Sequence, residues 1–193
     1  MFSNFTQPSI TVLSGATGAG KTSTLREIFT KDFIPCIDTL VCMVEYPDEN
    51  MYKQIKAMAF LKNPKCKYID YDKNKNVSDM LKSLNSKQCN VLIIDDQVNA
   101  KDFELGKIAG VESRHKNCTT FLITQNIFSD TKDFLHFRRQ TKYFIVFLEG
   151  DQSHMRYLTQ RIPELKNKRL PPTRFILGNT ENKTIFDDQW RTL

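Results

Sequence analysis

The sequence predicts an α/β protein in which a mainly parallel β-sheet carries helices on both faces. Apolar runs of strand length alternate along the chain with segments whose apolar residues recur at helical spacing. Strands that are apolar throughout are buried on both faces, which is typical of parallel sheets covered by helices. A glycine-rich turn connects the first apolar run to the first expected helix, as this fold class requires.

The elements follow one another in a regular order. The expected strands are residues 9–13, 38–44, 67–71, 90–96, 119–124 and 143–148. Helices are expected after the glycine-rich turn, from residue 49, over residues 77–84 and over residues 103–111, and the buried face of the second carries Met51, Ile55, Met58 and Ala59. The tail differs, because a helix over residues 152–160 precedes a hairpin of residues 174–179 and 183–186 at the edge of the sheet.

Length and composition indicate one soluble globular domain over residues 1–193, with a core of residues 9–150 and a C-terminal helix and hairpin in residues 151–193. Hydrophobic residues make up 40% and charged residues 26%, which excludes a mainly disordered chain. No apolar run approaches the roughly 20 residues that span a bilayer, and the start of the chain lacks a signal-peptide pattern. We therefore expect an intracellular protein without a membrane partner.

The glycine-rich turn is a complete phosphate-binding loop, because residues 15–22 match the pattern G-x-x-x-x-G-K-[ST]. Lys21 is expected to reach the β and γ phosphates, and the Thr22 hydroxyl to hold Mg²⁺. The nucleotide would lie at the start of a helix. The residues expected to bind a nucleoside triphosphate are Gly15, Ala16, Thr17, Gly18, Ala19, Gly20, Lys21, Thr22 and Ser23.

A second motif ends the apolar strand of residues 91–94. Asp95 and Asp96 follow it directly, in the form of a Walker B strand that delivers carboxylates to the carboxyl end of an open α/β sheet. We expect Asp95 to hold Mg²⁺ through water. Asp96 is the expected catalytic carboxylate that polarises the attacking water, although its side chain is one methylene shorter than the glutamate usual there.

Gln125 ends the strand of residues 119–124. The two motifs predict a P-loop NTPase of the additional-strand, RecA-like type. In that class, this strand lies between the loop strand and the Walker B strand. The Gln125 amide could then donate to a γ-phosphate oxygen and accept from the attacking water. A glutamine that only caps a turn is the competing interpretation.

Five cysteines, odd in number and without a C-x-x-C pair, are expected to be mostly buried reduced thiols. None is spaced with the three histidines as a zinc site requires, so Mg²⁺ with the nucleotide is the one expected metal. The net charge of +6 and the pI near 9.0 are compatible with a nucleic-acid partner, and equally with a solvated lysine-rich surface.

Taken together, these motifs resemble the poxvirus-type viral DNA-packaging ATPases of the HerA/FtsK superfamily, which have relatives in adenoviruses, virophages and Polinton-like elements. The resemblance covers residues 10–148. It rests on the double aspartate, an Arg-His pair before the strand of residues 119–124, the glutamine that ends that strand, and an arginine five residues before a strand tyrosine. These features lie in residues 15–22, 93–96, 113–117, 121–125 and 137–144.

The resemblance implies an ATP-hydrolysing motor that assembles as a homo-oligomeric ring, expected to be a hexamer. Its implied partners are double-stranded DNA and the vertex of a preformed viral capsid, in an infected host cell. Such rings commonly complete the active site with an arginine of the neighbouring subunit, because guanidinium neutralises charge on the departing γ-phosphate. Arg138 and Arg114 are both candidates for this catalytic role, and contact with DNA or solvent is the alternative for each.

Two other functions remain open at this stage. A nucleoside or nucleotide kinase shares the loop and the size but needs an arginine-bearing lid, and the only candidate, residues 160–174, is interrupted by three prolines. A nucleotide-dependent assembly switch without catalysis is the third hypothesis, because Asp96 stands where glutamate is usual.

Overall fold

The protein is described by a computed structural model that covers residues 1–44, 49–70, 77–95, 113–125, 132–148, 153–167, 170 and 173–193. The strands are β1 (Ile10–Ser14), β2 (Thr39–Met43), β3 (Lys67–Asp70), β4 (Asn90–Asp95), β5 (Cys118–Thr124), β6 (Tyr143–Phe147), β7 (Phe175–Asn179) and β8 (Thr184–Phe186). The helices are α1 (Lys21–Thr30), α2 (Asn50–Lys62), α3 (Val77–Ser83), α4 (Ser113–His115), α5 (Lys132–Gln140) and α6 (Ser153–Arg161), and a 3-10 helix follows at Pro163–Asn167.

All eight strands join one sheet in the order β3-β2-β4-β5-β1-β6-β7-β8. The strands from β3 to β6 are parallel to their neighbours, whereas β7 pairs antiparallel with β6 and β8 with β7. The prediction of a mainly parallel α/β sheet with a C-terminal hairpin at its edge is therefore confirmed. As expected, β5 lies between the loop strand β1 and the Walker B strand β4.

The sheet separates two apolar cores, because successive side chains of a strand point to opposite faces. In β1, Leu13 joins the core that also contains Leu25 and Ile28 of α1, whereas Val12 joins the core on the other face. That second core also includes Phe137 of α5 and Leu158 of α6. Helices on both faces thus exclude water from the central strands, and every residue of β1 and β5 is buried.

Helix α2 buries a partly different set of side chains from the expected one. Its buried side chains are Tyr52, Ile55 and Ala59, while Met51 and Met58 are partly exposed. The Tyr52 hydroxyl has a carboxylate partner inside the protein, at Asp95, so this tyrosine can take a buried position. The apolar pattern alone predicted that Met51, and not Tyr52, is buried in this turn of the helix.

Two further regions depart from the sequence-based expectation. Helix α5 was not predicted, because the chain from Lys132 to Gln140 is largely charged or polar and, where side chains are described, only Phe137 is buried. The helix expected over residues 103–111 lies outside the described residues. None of the described helices combines the length and apolar character needed to cross a bilayer.

The residues before β1 contribute a cluster of aromatic rings to the core on the α1 side. Phe5 is fully buried, and its ring makes edge contacts with Tyr143 and Phe121 at 4.8 and 5.6 Å between centroids. Phe2 packs against the buried indole of Trp190, and its backbone N–H donates to the Trp190 carbonyl at 2.7 Å. The cluster therefore joins the start of the chain to the hairpin region.

Replacing Phe5 with alanine should lower the free energy of unfolding by about 3–5 kcal/mol, because the buried ring is lost and a cavity remains. Urea denaturation followed by circular dichroism measures this change. Leu61→Ala is the matched control: Leu61 is 84% exposed, so the expected change is within about 0.5 kcal/mol. Equal effects of the two substitutions would contradict the described core.

Candidate functional site

The loop between β1 and α1 has the backbone that a phosphate-binding turn needs. Gly18 and Gly20 adopt φ angles of 79° and 92°, which side chains other than glycine rarely tolerate. Gly20 is the N-cap residue of α1, and its carbonyl accepts the Thr24 N–H at 2.9 Å. The first N–H groups of α1 have no partners within the helix, and they give this end the partial positive charge that attracts anions.

Lys21 is buried at the base of the loop, with 8% of its surface exposed. Its ammonium donates to the carbonyl oxygens of Gly15 and Ala16, each at 2.8 Å. These bonds hold the charge inside the turn formed by the loop. A phosphate bound there would meet a fixed cation with little side-chain entropy left to lose.

Asp95 reaches the same place from the end of β4. Register explains why: Asp95 pairs with Ile123 of β5, and Ser14 at the end of β1 pairs with Thr124. The three parallel strands therefore end at one edge of the sheet, called the carboxyl edge below. Polar residues that follow them converge there.

A tyrosine holds the Asp95 carboxylate. The hydroxyl of Tyr52 in α2 donates to Oδ2 of Asp95. Burial, the negative charge of Asp95 and this hydrogen bond together raise the pKa of Tyr52 far above its usual value, so the hydroxyl stays protonated and remains a donor. Sequence reasoning missed Tyr52, because nothing local marks a helix tyrosine as the partner of a carboxylate on another element.

These residues surround one cleft of about 430 Å³, a size that suits a small-molecule ligand. Gln125 lies at its rim, directly beyond β5, and is exposed. Glu49, at the start of α2, is a second lining carboxylate that the sequence did not single out. The lining residues are Thr17, Gly18, Gly20, Lys21, Thr22, Ser23, Val44, Glu49, Tyr52, Asp95 and Gln125.

The structure thus brings together Lys21, Thr22, Ser23, Asp95 and Gln125, and their chemical roles stay predictions. An Mg²⁺ ion fits this donor set, because the Thr22 hydroxyl and the Asp95 carboxylate are hard oxygen ligands beside the phosphate loop. Asp96, the predicted catalytic carboxylate, lies outside the described residues.

Neither candidate arginine lines the cleft of its own chain. Arg114 in α4 precedes β5, at the edge opposite the carboxyl edge, and its Nη2 donates to Gln140 Oε1 at 3.0 Å. Arg138 lies near the end of α5, just before β6, with its guanidinium 5.1 Å from the centre of the Tyr157 ring. The length of β5 places about 20 Å between Arg114 and the cleft.

The cysteines are free thiols, and Cys42, Cys66 and Cys118 are buried. Cys36 and Cys89 are partly buried and form with Asp38 the one group of potential metal ligands in the described ranges. Hydrogen bonds account for this group, because Asp38 Oδ2 accepts the Cys89 N–H at 2.8 Å and Oδ1 accepts from Asn63 at 3.0 Å. Burial and the neighbouring Cys89 raise the pKa of the Cys36 thiol to about 12.

Several solved structures superimpose on most of this chain. The genome packaging NTPase B204 of Sulfolobus turreted icosahedral virus 2, in complex with AMP, superimposes with a TM-score of 0.66 and 18% identity over 93% of this chain and 96% of that one. B204 of Sulfolobus turreted icosahedral virus, described as a DNA-packaging ATPase, gives 0.60 and 16% over 93% and 97%. A KaiC-like protein of Pyrococcus horikoshii gives 0.52 and 15% over 97% and 82%.

This chain has the P-loop NTPase fold. No family model matches the sequence, and no curated protein matches it either. At 15–18% identity the likeness shows the fold alone. The P-loop fold accounts for the position of the cleft, because open α/β sheets bind ligands beyond the carboxyl ends of their strands.

Replacing Tyr52 with phenylalanine should raise the Mg²⁺ concentration needed for half-maximal nucleotide hydrolysis by roughly 10-fold, because the Asp95 carboxylate loses the hydrogen bond that orients it. The ring and its packing are retained, so the fold should be unchanged. Phosphate release measured across a Mg²⁺ titration tests this.

Tyr68→Phe provides the control, since it removes a hydroxyl on β3, away from the residues that line the cleft. It should leave the Mg²⁺ dependence at the wild-type value. A folded Tyr52→Phe protein with unchanged Mg²⁺ dependence would show that the hydrogen bond does not position Asp95.

Proposed function

We propose that this protein is an ATPase of the HerA/FtsK superfamily that, as a homo-oligomeric ring, drives double-stranded viral DNA into a preformed capsid. The observation that carries the proposal is the convergence of three groups on one cleft. They are the phosphate loop after β1, Asp95 at the end of β4, and Gln125 beyond the intervening strand β5. A glutamine in that place can bridge a γ-phosphate and a water molecule, which favours hydrolysis.

Comparison with B204 supports this proposal. The likeness extends over 93% of this chain and 96–97% of B204, almost the whole length of both. B204 has been solved in complex with AMP, ATP-gammaS or AMPPCP, and it is described as a genome packaging NTPase or a DNA-packaging ATPase. ATP and Mg²⁺ are accordingly the proposed ligands of the cleft here.

The position of the two arginines fits action between subunits. Within one chain Arg114 and Arg138 lie at the edge of the sheet opposite the cleft, so neither can reach the γ-phosphate of its own nucleotide. In a ring, a neighbouring subunit could supply one of them. The hexamer and the docking of the ring at a capsid vertex remain part of the proposal.

A kinase is less well supported. The segment expected to form its lid includes Ile162 and Leu165, both of which are buried in the core on the α6 side. The described part of that segment packs against the sheet, whereas a lid must close over the phosphates. The ATPase assay also distinguishes the assembly switch, which would bind ATP without hydrolysing it.

Duplex DNA should stimulate ATP hydrolysis, and rising salt should weaken this stimulation steeply, because binding to DNA phosphates releases counterions. Phosphate release is measured with and without DNA of unrelated sequences, across a salt series. Lys21→Ala is the matched inactive control, since it removes the charge that neutralises the β and γ phosphates. Its hydrolysis should be lost with or without DNA.

Other outcomes of this assay decide against the motor. Labelled phosphate found on an added nucleoside would indicate a kinase. Tight ATP binding without turnover, with or without DNA, would indicate an assembly switch. Stimulation restricted to one DNA sequence and persisting at high salt would contradict a translocating enzyme, because translocation requires contacts that every sequence offers.

Mixing inactive subunits tests the trans-acting arginine. If Arg138 or Arg114 acts as a finger, replacing it with alanine should lower the ATP hydrolysis rate on the order of 10³-fold relative to the wild-type protein. Lys21→Ala subunits retain both arginines, so adding them should restore part of the activity by pairing an intact loop with an intact arginine. Arg139→Ala, a neighbouring exposed position, is the control. Mixed assemblies without rescue of either mutant would place the complete site within one chain.

A further inference from the structure

Arg174 lies against the outer side of the phosphate loop of its own chain. A Cβ atom built on Gly20 would be 3.6 Å from Nη1 of Arg174, so the guanidinium is in contact distance of the turn. Nη2 donates to Oγ1 of Thr24 in the first turn of α1, at 3.2 Å. The residue just before β7 thus brings a planar cation to the loop on the side away from Asp95.

A network of contacts fixes this guanidinium. Nη2 lies 3.5 Å from Glu27 Oε2, and Glu27 Oε1 accepts the indole N–H of Trp190 at 2.9 Å. The backbone N–H of Arg174 donates to Asp188 Oδ2 at 2.8 Å. The side chain is nevertheless 40% exposed, so its ion pair adds little stability. A partly exposed guanidinium held in this way is better suited to bind a ligand than to support the core.

Sheet topology indicates which end of a nucleotide this side of the loop faces. Strand β7 runs antiparallel to β6, with Phe175 opposite Phe147, so the start of β7 lies at the carboxyl edge. Strands β6 and β7 are on one side of β1, and β5 and β4 on the other. In the proposed ATP site, Asp95 and Gln125 would hold the γ-phosphate end on the β4 side. The nucleoside end therefore extends toward β6, β7 and Arg174.

We propose that Arg174 holds the nucleoside end of the bound nucleotide by stacking its guanidinium on the base. This inference rests on the ATP site of the proposed function. A guanidinium is planar and stacks on aromatic rings, and the base offers such a ring. Glu27 already balances the positive charge of Arg174, so the contribution of Arg174 to phosphate binding is small. Phosphate binding belongs to Lys21 and the loop.

The test compares the binding of ATP with that of inorganic tripolyphosphate, which has the phosphates but no base. Arg174→Ala should weaken ATP binding about 10-fold, as expected for loss of a desolvated cation–π contact, and leave tripolyphosphate binding unchanged. Arg174→Lys keeps the charge but not the plane and should bind ATP like Arg174→Ala. Calorimetric titration with Mg²⁺ present measures these affinities for proteins whose thermal unfolding is checked first.

Lys31→Ala is the matched control. Its ammonium lies 3.4 Å from Glu27 Oε1 and is exposed, so this variant removes a cation from the same carboxylate without touching the loop. Both affinities should stay at the wild-type value. Equal loss of ATP and tripolyphosphate binding in Arg174→Ala would place the residue on the phosphates and overturn the stacking contact. So would wild-type ATP binding by Arg174→Ala, or full rescue by lysine.

The binding comparison and the motor can fail separately. Absence of DNA-stimulated hydrolysis would contradict the packaging motor and leave the difference between ATP and tripolyphosphate intact. Wild-type protein that binds tripolyphosphate as tightly as ATP would overturn the base contact without affecting the assignment of the phosphate loop. If the wild-type protein binds neither ATP nor tripolyphosphate, both the base contact and the assignment of the phosphate loop are wrong.

Discussion

The parallel register of β1, β5 and β4 is the constraint on which the site depends. Ser14 pairs with Thr124, and Ile123 with Asp95, so three neighbouring strands end within one residue of each other. A shift of one residue in a strand would turn its apolar side chains to the other face and move its terminal group. Packing of the two apolar cores against the sheet fixes the strand register, and this register sets the distance between the phosphate loop and Asp95.

Much of the site could be read from sequence because its parts are local. The phosphate loop, Asp95 and Gln125 each follow a strand directly, and the apolar runs that predict those strands also predict where they end. The expected position of β5 between β1 and β4 came from the P-loop class that the motifs indicate, since a run of apolar residues carries no information about its neighbours in the sheet. Asp96 remains a sequence-based prediction.

The residues that were missed depend on contacts far apart along the chain. Tyr52 meets Asp95 across 43 positions, and Arg174 meets Thr24 across 150. No spacing rule connects such pairs, because their proximity follows from helix packing and the position of the hairpin. Helix α5 was not predicted for a related reason. Its segment is largely polar and lacks a clear apolar stripe, and the helix is stabilised by the burial of Phe137 against the sheet.

Trp190 is the single tryptophan of the chain, and only 1% of its surface is exposed. Its indole N–H bonds to Glu27, the carboxylate that also holds the guanidinium beside the phosphate loop. Indole emission responds to the hydrogen bonding of its ring nitrogen. The intrinsic fluorescence of the unlabelled protein is thus a reporter placed one carboxylate away from Arg174 and the phosphate loop.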